Sequence, residues 1–523
     1  MRQKGGSVFR QFCVFAATAS LLLACDLGDS KPGGGMNLSF ARQALDSPCP
    51  ETWVADANPP ALSRLDVRLL TSTGELHFKK SIELNGGDNV IIDGIDPAYD
   101  LTLEVVGVES GTPAWRGASQ HINIIEGRNA FADVFLTTME DMSCSLRPLH
   151  QARSFTTAAP LGDGRILIVG GVSALSADGC GPGCTLGQAT AAVDVFDPGT
   201  GTIYPVAALH DPRALATATP LPDGSVLVVG GASRVQLDPA GELPVDVDPV
   251  DLVPSFEVYL PAEDLWIRKP LPEGEGRVFH SATALDDGRV LVAGGGAGVT
   301  EALNTAIIFD PTNESVGDFV DAGTLMNTPR LGHAAVRNED GIILLIGGAI
   351  RPTAQAVEEY DPVADVFNNR SVSGLNYFFC SAANVPLQPN NILVSGGMRF
   401  DGNNLLPPES SNIHEYNSQD DSQTELESGM GSPRWMHKAE VIVGQGILLA
   451  GGFTNFQAQA TDNLELFASS DGLLHSAGPV RLSTPRAGNA SLVLAGTRVL
   501  LVGGTDGSSL LGSGEIYTAQ TAE

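Results

Sequence analysis

Six arginines stand at one repeated offset in this chain. Arg153, Arg213, Arg277, Arg330, Arg434 and Arg486 each lie 17 residues before a glycine pair, and Phe379 takes that offset before a seventh pair. Guanidinium groups set around a single face would gather an anionic ligand through paired, charge-assisted hydrogen bonds. The repetition also has a plainer use, because a ligand needs only some copies whereas a fold needs every one. Each arginine then braces a loop of its own unit against a carbonyl or a carboxylate, and the regular spacing favours that brace. Three residues after three of the arginines come His280, His333 and His437. A shared repeat position argues for a structural role in each, and a metal would require all three to face a common axis.

Other chemistry is sparse. The chain has no Gly-x-Ser-x-Gly elbow and no His-Glu-x-x-His pair. The acidic stretch Asp246-Val-Asp248-Pro-Val-Asp251 places an aspartate where a calcium loop needs glycine, so it reads as an insertion loop. Cys180 and Cys184 bracket Gly-Pro-Gly, a turn that brings two sulfurs together. A zinc site there would need a second ligand pair, which does not accompany them. Cys49 and Cys144 sit at the two edges of an N-terminal segment and can close it. Cys380, in the apolar run YFFCSAANV, reads as a buried free thiol.

The elements behind these residues are strands. ILIVGG, VLVVGG, VLVAGG, ILLIGG, ILVSGG, ILLAGG and VLLVGG end in pairs beginning at Gly170, Gly230, Gly294, Gly347, Gly396, Gly451 and Gly503. Spacings of 49 to 64 residues between short apolar strands mark a radial β-array whose units must stack on one another. Asp-Gly precedes four of the runs, at Asp163, Asp223, Asp287 and Asp340, as a tight hairpin. An aromatic followed by Asp-Pro comes after, at Phe196, Phe309 and Tyr360.

PRLGHAAV, DGIILLIGGA and AVEEYDP, running from Pro329, resemble the kelch repeat almost position for position. The Asp-Gly variant is the one common in exported bacterial proteins. The resemblance implies an all-β fold, a seven-bladed propeller over residues 141–523. The stretch 141–148 supplies the strand that the seventh repeat lacks, and so closes the ring. Insertions at about 172–190 and 232–253 leave equivalent loops of adjacent blades and are expected to form one lobe beside the axis. Copper-radical oxidases resembling galactose oxidase share this repeat, but they need two tyrosines, two histidines and a thioether-forming cysteine. The Tyr-His dipeptide that family uses is missing here.

Residues 51–140 are of another kind. LDVRLLT, NVIIDGI, LTLEVVGV and DVFLTT are short, alternating strands resembling a transthyretin-like or immunoglobulin-like β-sandwich. Trp53 and Trp115 are its candidate sugar platforms. Residues 1–24 carry Arg2, Lys4, Arg10 and a short apolar stretch, the pattern of an export signal. Leu22-Leu23-Ala24-Cys25 resembles a lipobox and implies lipid attachment at Cys25, with residues 25–50 as a flexible tether. A net charge of −31 repels nucleic acid and anionic headgroups. The chain therefore reads as a monomeric lipoprotein, anchored in a bacterial membrane and facing the periplasm or cell surface. Its expected role is non-enzymatic binding of a protein or glycan, with no cofactor or metal. The alternative is a carbohydrate-active enzyme, either a galactose-oxidase-like oxidase or a sialic-acid-mutarotase-like propeller.

Overall fold

The computed structural model describes residues 33–42, 62–84, 89–177, 180, 183–238, 244–297, 302–320, 325–349, 356–372, 374–400, 405–470 and 473–519. The fold is all-β: an N-terminal sheet module followed by four-stranded antiparallel blades of propeller type. Residues 1–24, Cys25, Cys49 and Trp53 lie outside the described residues.

The module contains β1 (Gly34–Arg42), β2 (Arg64–Leu70), β3 (Leu76–Glu83), β4 (Asn89–Ile95), β5 (Ala98–Glu109), β6 (Thr112–Ile124) and β7 (Asn129–Thr138), in the order β3-β2-β5-β6-β7-β1-β4. β6 and β7 pair only at Trp115–Thr138 and Arg116–Thr137. About that corner the sheet folds into two layers. Leu65, Val67, Leu103 and Val105 face Met36, Leu38, Ile92 and Val134 across one core.

Two expectations are corrected here. Residues 34–42, read as part of the tether, form β1, which runs parallel to β7 and antiparallel to β4. Met36, Leu38 and Phe40 alternate inward along it, so the strand buries apolar area a tether would leave wet. Trp115 is a core residue, 2% exposed, and offers no platform to a sugar.

Among the described residues, seven four-stranded sheets carry one glycine-pair repeat each. Their first strands are Thr157–Pro160, Thr217–Pro220, Ser281–Ala284, Ala334–Arg337, Ser381–Asn384, Lys438–Ile442 and Ala490–Leu494. Each touches the first strand of the next sheet, and the last touches the first, so the blades (numbered 1 to 7 in this order) form a ring. The aliphatic runs are the second strands. They are buried on both faces between neighbouring blades, which is why they show no alternation.

The short strand β8 (Met142–Cys144) pairs with Gly514–Thr518 as the outer strand of blade 7, matching Tyr517 with Met142. A segment that precedes blade 1 in sequence therefore completes the last blade. The module is tied to the same place. Arg498, fully buried in blade 7, donates to the carbonyls of Phe135 at 3.1 Å and Ala118 at 3.2 Å. The Thr137 and Thr518 hydroxyls meet at 2.7 Å. Cys144 is disulfide-bonded; the partner expected for it, Cys49, is outside the described residues.

The two insertions do combine. Val172–Ser176 and Thr185–Ala189 from blade 1 join Arg234–Leu237 and Val245–Asp246 from blade 2 in one four-stranded sheet. Thr185–Ala189 pairs directly with Arg234–Leu237 across the two insertions. Cys180 and Cys184 are bonded in the connecting turn. Asp251 of the acidic stretch is buried and accepts from Arg234 Nε at 2.7 Å, so its charge is neutralised locally.

Candidate ligand-binding site

The arginines do not face a ligand. All six are buried, with side chains closed off from solvent. Arg330 typifies them: Nη2 meets Glu358 Oε2 at 2.6 Å, and Nη1 donates to the carbonyl of Gly347 at 2.7 Å. Arg213 pairs with Glu257 at 2.8 Å, Arg153 with Asp194 at 2.7 Å and Arg486 with Glu515 at 2.5 Å. Arg434 pairs with Glu465, and Arg277 with Glu275. Burial pulls each of the Arg153, Arg213, Arg330 and Arg434 guanidiniums down, and the facing carboxylate pulls it back up. The acids also hold loops: Glu257 accepts from the backbone N–H of His210, Glu465 from that of Gly431 and Glu515 from that of Ser483. These pairs are braces inside six of the blades, and an anion has no access to them.

Phe379 does not take the seventh place; Tyr377 does. The carbonyl of each arginine accepts from the second glycine N–H of the preceding blade, as Arg213 does from Gly171 and Arg434 from Gly397. Gly348 donates in the same way to Tyr377, at 2.9 Å. The offset fails because the blade-5 hairpin closes between Val385 and Asn391, two residues longer than the Leu161–Arg165 hairpin of blade 1. Tyr377 Oη then meets His414 Nε2 at 3.0 Å, a neutral pair where other blades carry an ion pair.

Phe379 belongs instead to a ring two residues further along each repeat. Phe155, Leu215, Phe279, Phe379 and Met436 hold φ between 52° and 59°, with Gly332 and Gly488 at 60° and 61°. Bulky residues in the left-handed region are sterically costly and persist only where surroundings enforce them. Here the enforcement is a chain of backbone hydrogen bonds around the axis. The N–H of Phe155 donates to Gly488, Leu215 to Phe155, Gly332 to Phe279, Phe379 to Gly332 and Met436 to Phe379, at 2.6 to 3.2 Å. Beyond this annulus the rings of Phe279, Phe379, Trp435, Phe453 and Phe155 touch in sequence, with centroids 5.0 to 6.3 Å apart. Val172, Val235, Val245 and Val247 of the insertion sheet pack into the same cluster. The insertion lobe thus stoppers one end of the axis.

On the inner side of the annulus lies a cavity of about 390 Å³. Its lining comes from all seven blades, including Thr156, His280, His333, Cys380, His437 and Asn489 just past the annulus. One turn of strand further, Ala158, Ala218 and Ala282 keep the channel wide. At the far end of the first strands Pro160, Pro220, Ala284, Arg337, Asn384 and Val493 are exposed, which sets the mouth on the Asp-Gly hairpin side. The site is a one-ended pocket, a shape that suits small ligands of roughly this volume.

The histidines are spacers between blades. His280 Nε2 meets the Thr217 hydroxyl at 3.0 Å, His333 meets Ser281 at 2.9 Å and His437 meets Ser395 at 2.8 Å. The ring edges pack on glycine: a Cβ on Gly294 would sit 3.1 Å from His333 Cε1 and 2.6 Å from the Arg330 carbonyl. Burial drives the His333 imidazole down to about 3, and His280 and His437 well below the ordinary range. The unfolded chain accepts protons near pH 6.5 that the folded one refuses. This stability is therefore complete above pH 6.5 and is lost as pH falls toward the folded values. At pH 5 each histidine should cost about 2 kcal/mol. Melting curves at pH 7.5 and pH 5 in equal salt check this, and an unchanged midpoint would contradict it.

The ligand set of a copper-radical oxidase is not assembled. Tyr377 and His414 meet inside blade 5, while the three channel histidines turn Nε2 to hydroxyls in neighbouring blades. Among the described residues no three His, Cys, Asp or Glu side chains are grouped to hold a metal ion. Cys380 is a free thiol, pushed up to about 12 by burial.

No known family model matches the chain. Two sequences named galactose oxidase from Gibberella zeae are each 34% identical to it over 109 residues. That stretch is 20% of this chain and 14% of each relative. The weak likeness and the propeller-type fold are together compatible with a carbohydrate-related propeller.

Proposed function

We propose that this chain is an exported kelch-type propeller, tethered to a membrane through lipid on Cys25, that binds a carbohydrate in its axial cavity without turning it over. The one-ended cavity carries this reading. Phe155, Phe279 and Phe379 at its closed end offer apolar faces, and the half-buried hydroxyl of Thr157 offers a hydrogen-bond partner. That mixture suits a sugar, which has both an apolar face and a ring of hydroxyls. Its volume favours one or two sugar units over a protein segment. The likeness to galactose oxidase supports the carbohydrate class; the scattered histidines argue against the copper chemistry.

Titration of the native chain with neutral and acidic mono- and disaccharides should give saturable binding for at least one. Ala218→Leu, which fills the channel wall, should abolish that binding while leaving the melting midpoint within a few degrees. Binding retained by the filled variant would move the site elsewhere. Hydrogen peroxide formed from the bound sugar in air would replace the binding reading with the oxidase reading. For the anchor, Cys25→Ser should abolish acyl labelling and release the protein from membranes in detergent-free fractionation. A native protein that takes up no label removes the lipid from the account.

A further inference from the structure

In a repeat protein the fold asks the same of every blade, so a side chain that departs from the repeat at the axis answers to something other than the fold. Four residues after the brace position the blades carry Thr157, Thr217, Ser281, Ala334, Ser381 and Ala490, all small. Blade 6 carries Lys438 there instead. A lysine side chain in a channel gives up rotamer freedom and part of its hydration, and no other blade needs one.

Among the described residues that line the axial cavity, Lys438 is the single fully charged one, and none is a carboxylate. It is exposed into that space and makes no ion pair among the described residues. The setting sharpens the contrast, since the whole chain carries a net charge of −31. An anion approaching such a protein is repelled at long range and needs a local cation at its destination, whereas a neutral sugar needs none. The nearest acid on the same strand is Glu440, which does not line the cavity; burial raises its carboxyl, and the Lys438 ammonium and the Ser491 hydroxyl pull it back down.

We propose that the axial cavity takes a sugar bearing a carboxylate, a uronic acid or a related acid sugar, with Lys438 as the group that holds the carboxylate. This rests on the carbohydrate reading of the cavity given above. The carboxylate sits against the ammonium on blade 6, and the rest of the ring lies across the channel toward His280 and His333, with its apolar face on the Phe279 and Phe379 side.

Calorimetric titration of the full chain in detergent with D-galacturonate and with D-galactose tests it. The acid sugar should bind about tenfold or more tightly than the neutral one. Lys438→Gln should bring the acid sugar to the level of the neutral sugar, and Lys438→Arg should keep most of the preference. Raising salt from 50 to 500 mM should weaken galacturonate and leave galactose unchanged. Equal binding of the two sugars by the native chain, or full galacturonate affinity in Lys438→Gln, overturns the proposal and leaves the carbohydrate reading standing. If neither sugar nor any other carbohydrate binds, both fall. Should Lys438→Gln fail to fold, the salt dependence of the native chain decides alone, and affinity independent of salt overturns the proposal.

Discussion

Replacing Glu358 with leucine should destabilise the propeller by about 3–5 kcal/mol, because it strands the Arg330 guanidinium in a site closed to water. Glu358 and Arg330 are both fully buried, and the carboxylate also accepts from the backbone N–H of Asn327 at 2.6 Å. The desolvation cost of the arginine is offset by that partner and by nearby carbonyls. Changing both residues, Arg330→Met with Glu358→Leu, should recover most of the loss, since an apolar pair of similar volume is often as stable as the ion pair it replaces. The unrecovered part is the orphaned Asn327 N–H, about 1 kcal/mol. Urea unfolding of the single and double variants measures this. A single substitution costing under about 1 kcal/mol would mean that water reaches Arg330, and the arginine ring would again be a candidate anion site.

A chain beginning at Gln151 should not hold a closed ring. It lacks β8, so blade 7 is left with three strands and an open edge on Gly514–Thr518. It also lacks Phe135 and Ala118, whose carbonyls occupy the buried Arg498 guanidinium. With the module gone that guanidinium is uncovered and turns to water, so the loss is that of its contacts with the two carbonyls, about 1–3 kcal/mol. Loss of the edge strand adds to that and invites association. The truncated chain should sediment as aggregate or melt without a single cooperative transition. A monomer as stable as the full chain would mean that β8 is an accessory strand and that the ring closes without it.

Most of the ring was legible in sequence because its determinants are local. An apolar run buried on both faces shows no alternation, and a glycine pair ends it where the next blade's backbone passes closely, so Ile166–Val169 and its counterparts announce themselves. Closure by residues 141–148 could be inferred because the last repeat has three strands. Strand β1 was missed: Met36, Leu38 and Phe40 alternate, but the glycines before them and the polar stretch after them read as linker. Its pairing partners on β4 and β7 lie fifty or more residues away, a distance at which a pattern in one strand says nothing about pairing.

The site was less legible. Counting back from the glycines mistook Phe379 for Tyr377, since a two-residue hairpin insertion shifts the offset without disturbing either strand. Five of the six acids that pair with the arginines, Asp194, Glu257, Glu358, Glu465 and Glu515, share a third-strand position; Glu275 instead precedes its own arginine by two residues. An acid in an alternating strand ordinarily marks the exposed face, so the sequence gives no sign that these are buried against arginines. The insertion lobe was anticipated as a unit, yet its work as a stopper depends on the aromatic cluster beneath it, drawn from four blades. Lys438 was visible all along in the sequence. What the sequence does not show is that this repeat position lines the axial cavity.

Crystals of the chain soaked with galacturonate test the central claim most directly, because they locate the ligand. The account predicts sugar density inside the annulus, between blades 3, 4 and 6, with the carboxylate within hydrogen-bond distance of Lys438 Nζ. Density on the insertion sheet or on the N-terminal module, with the channel holding only solvent, would contradict it.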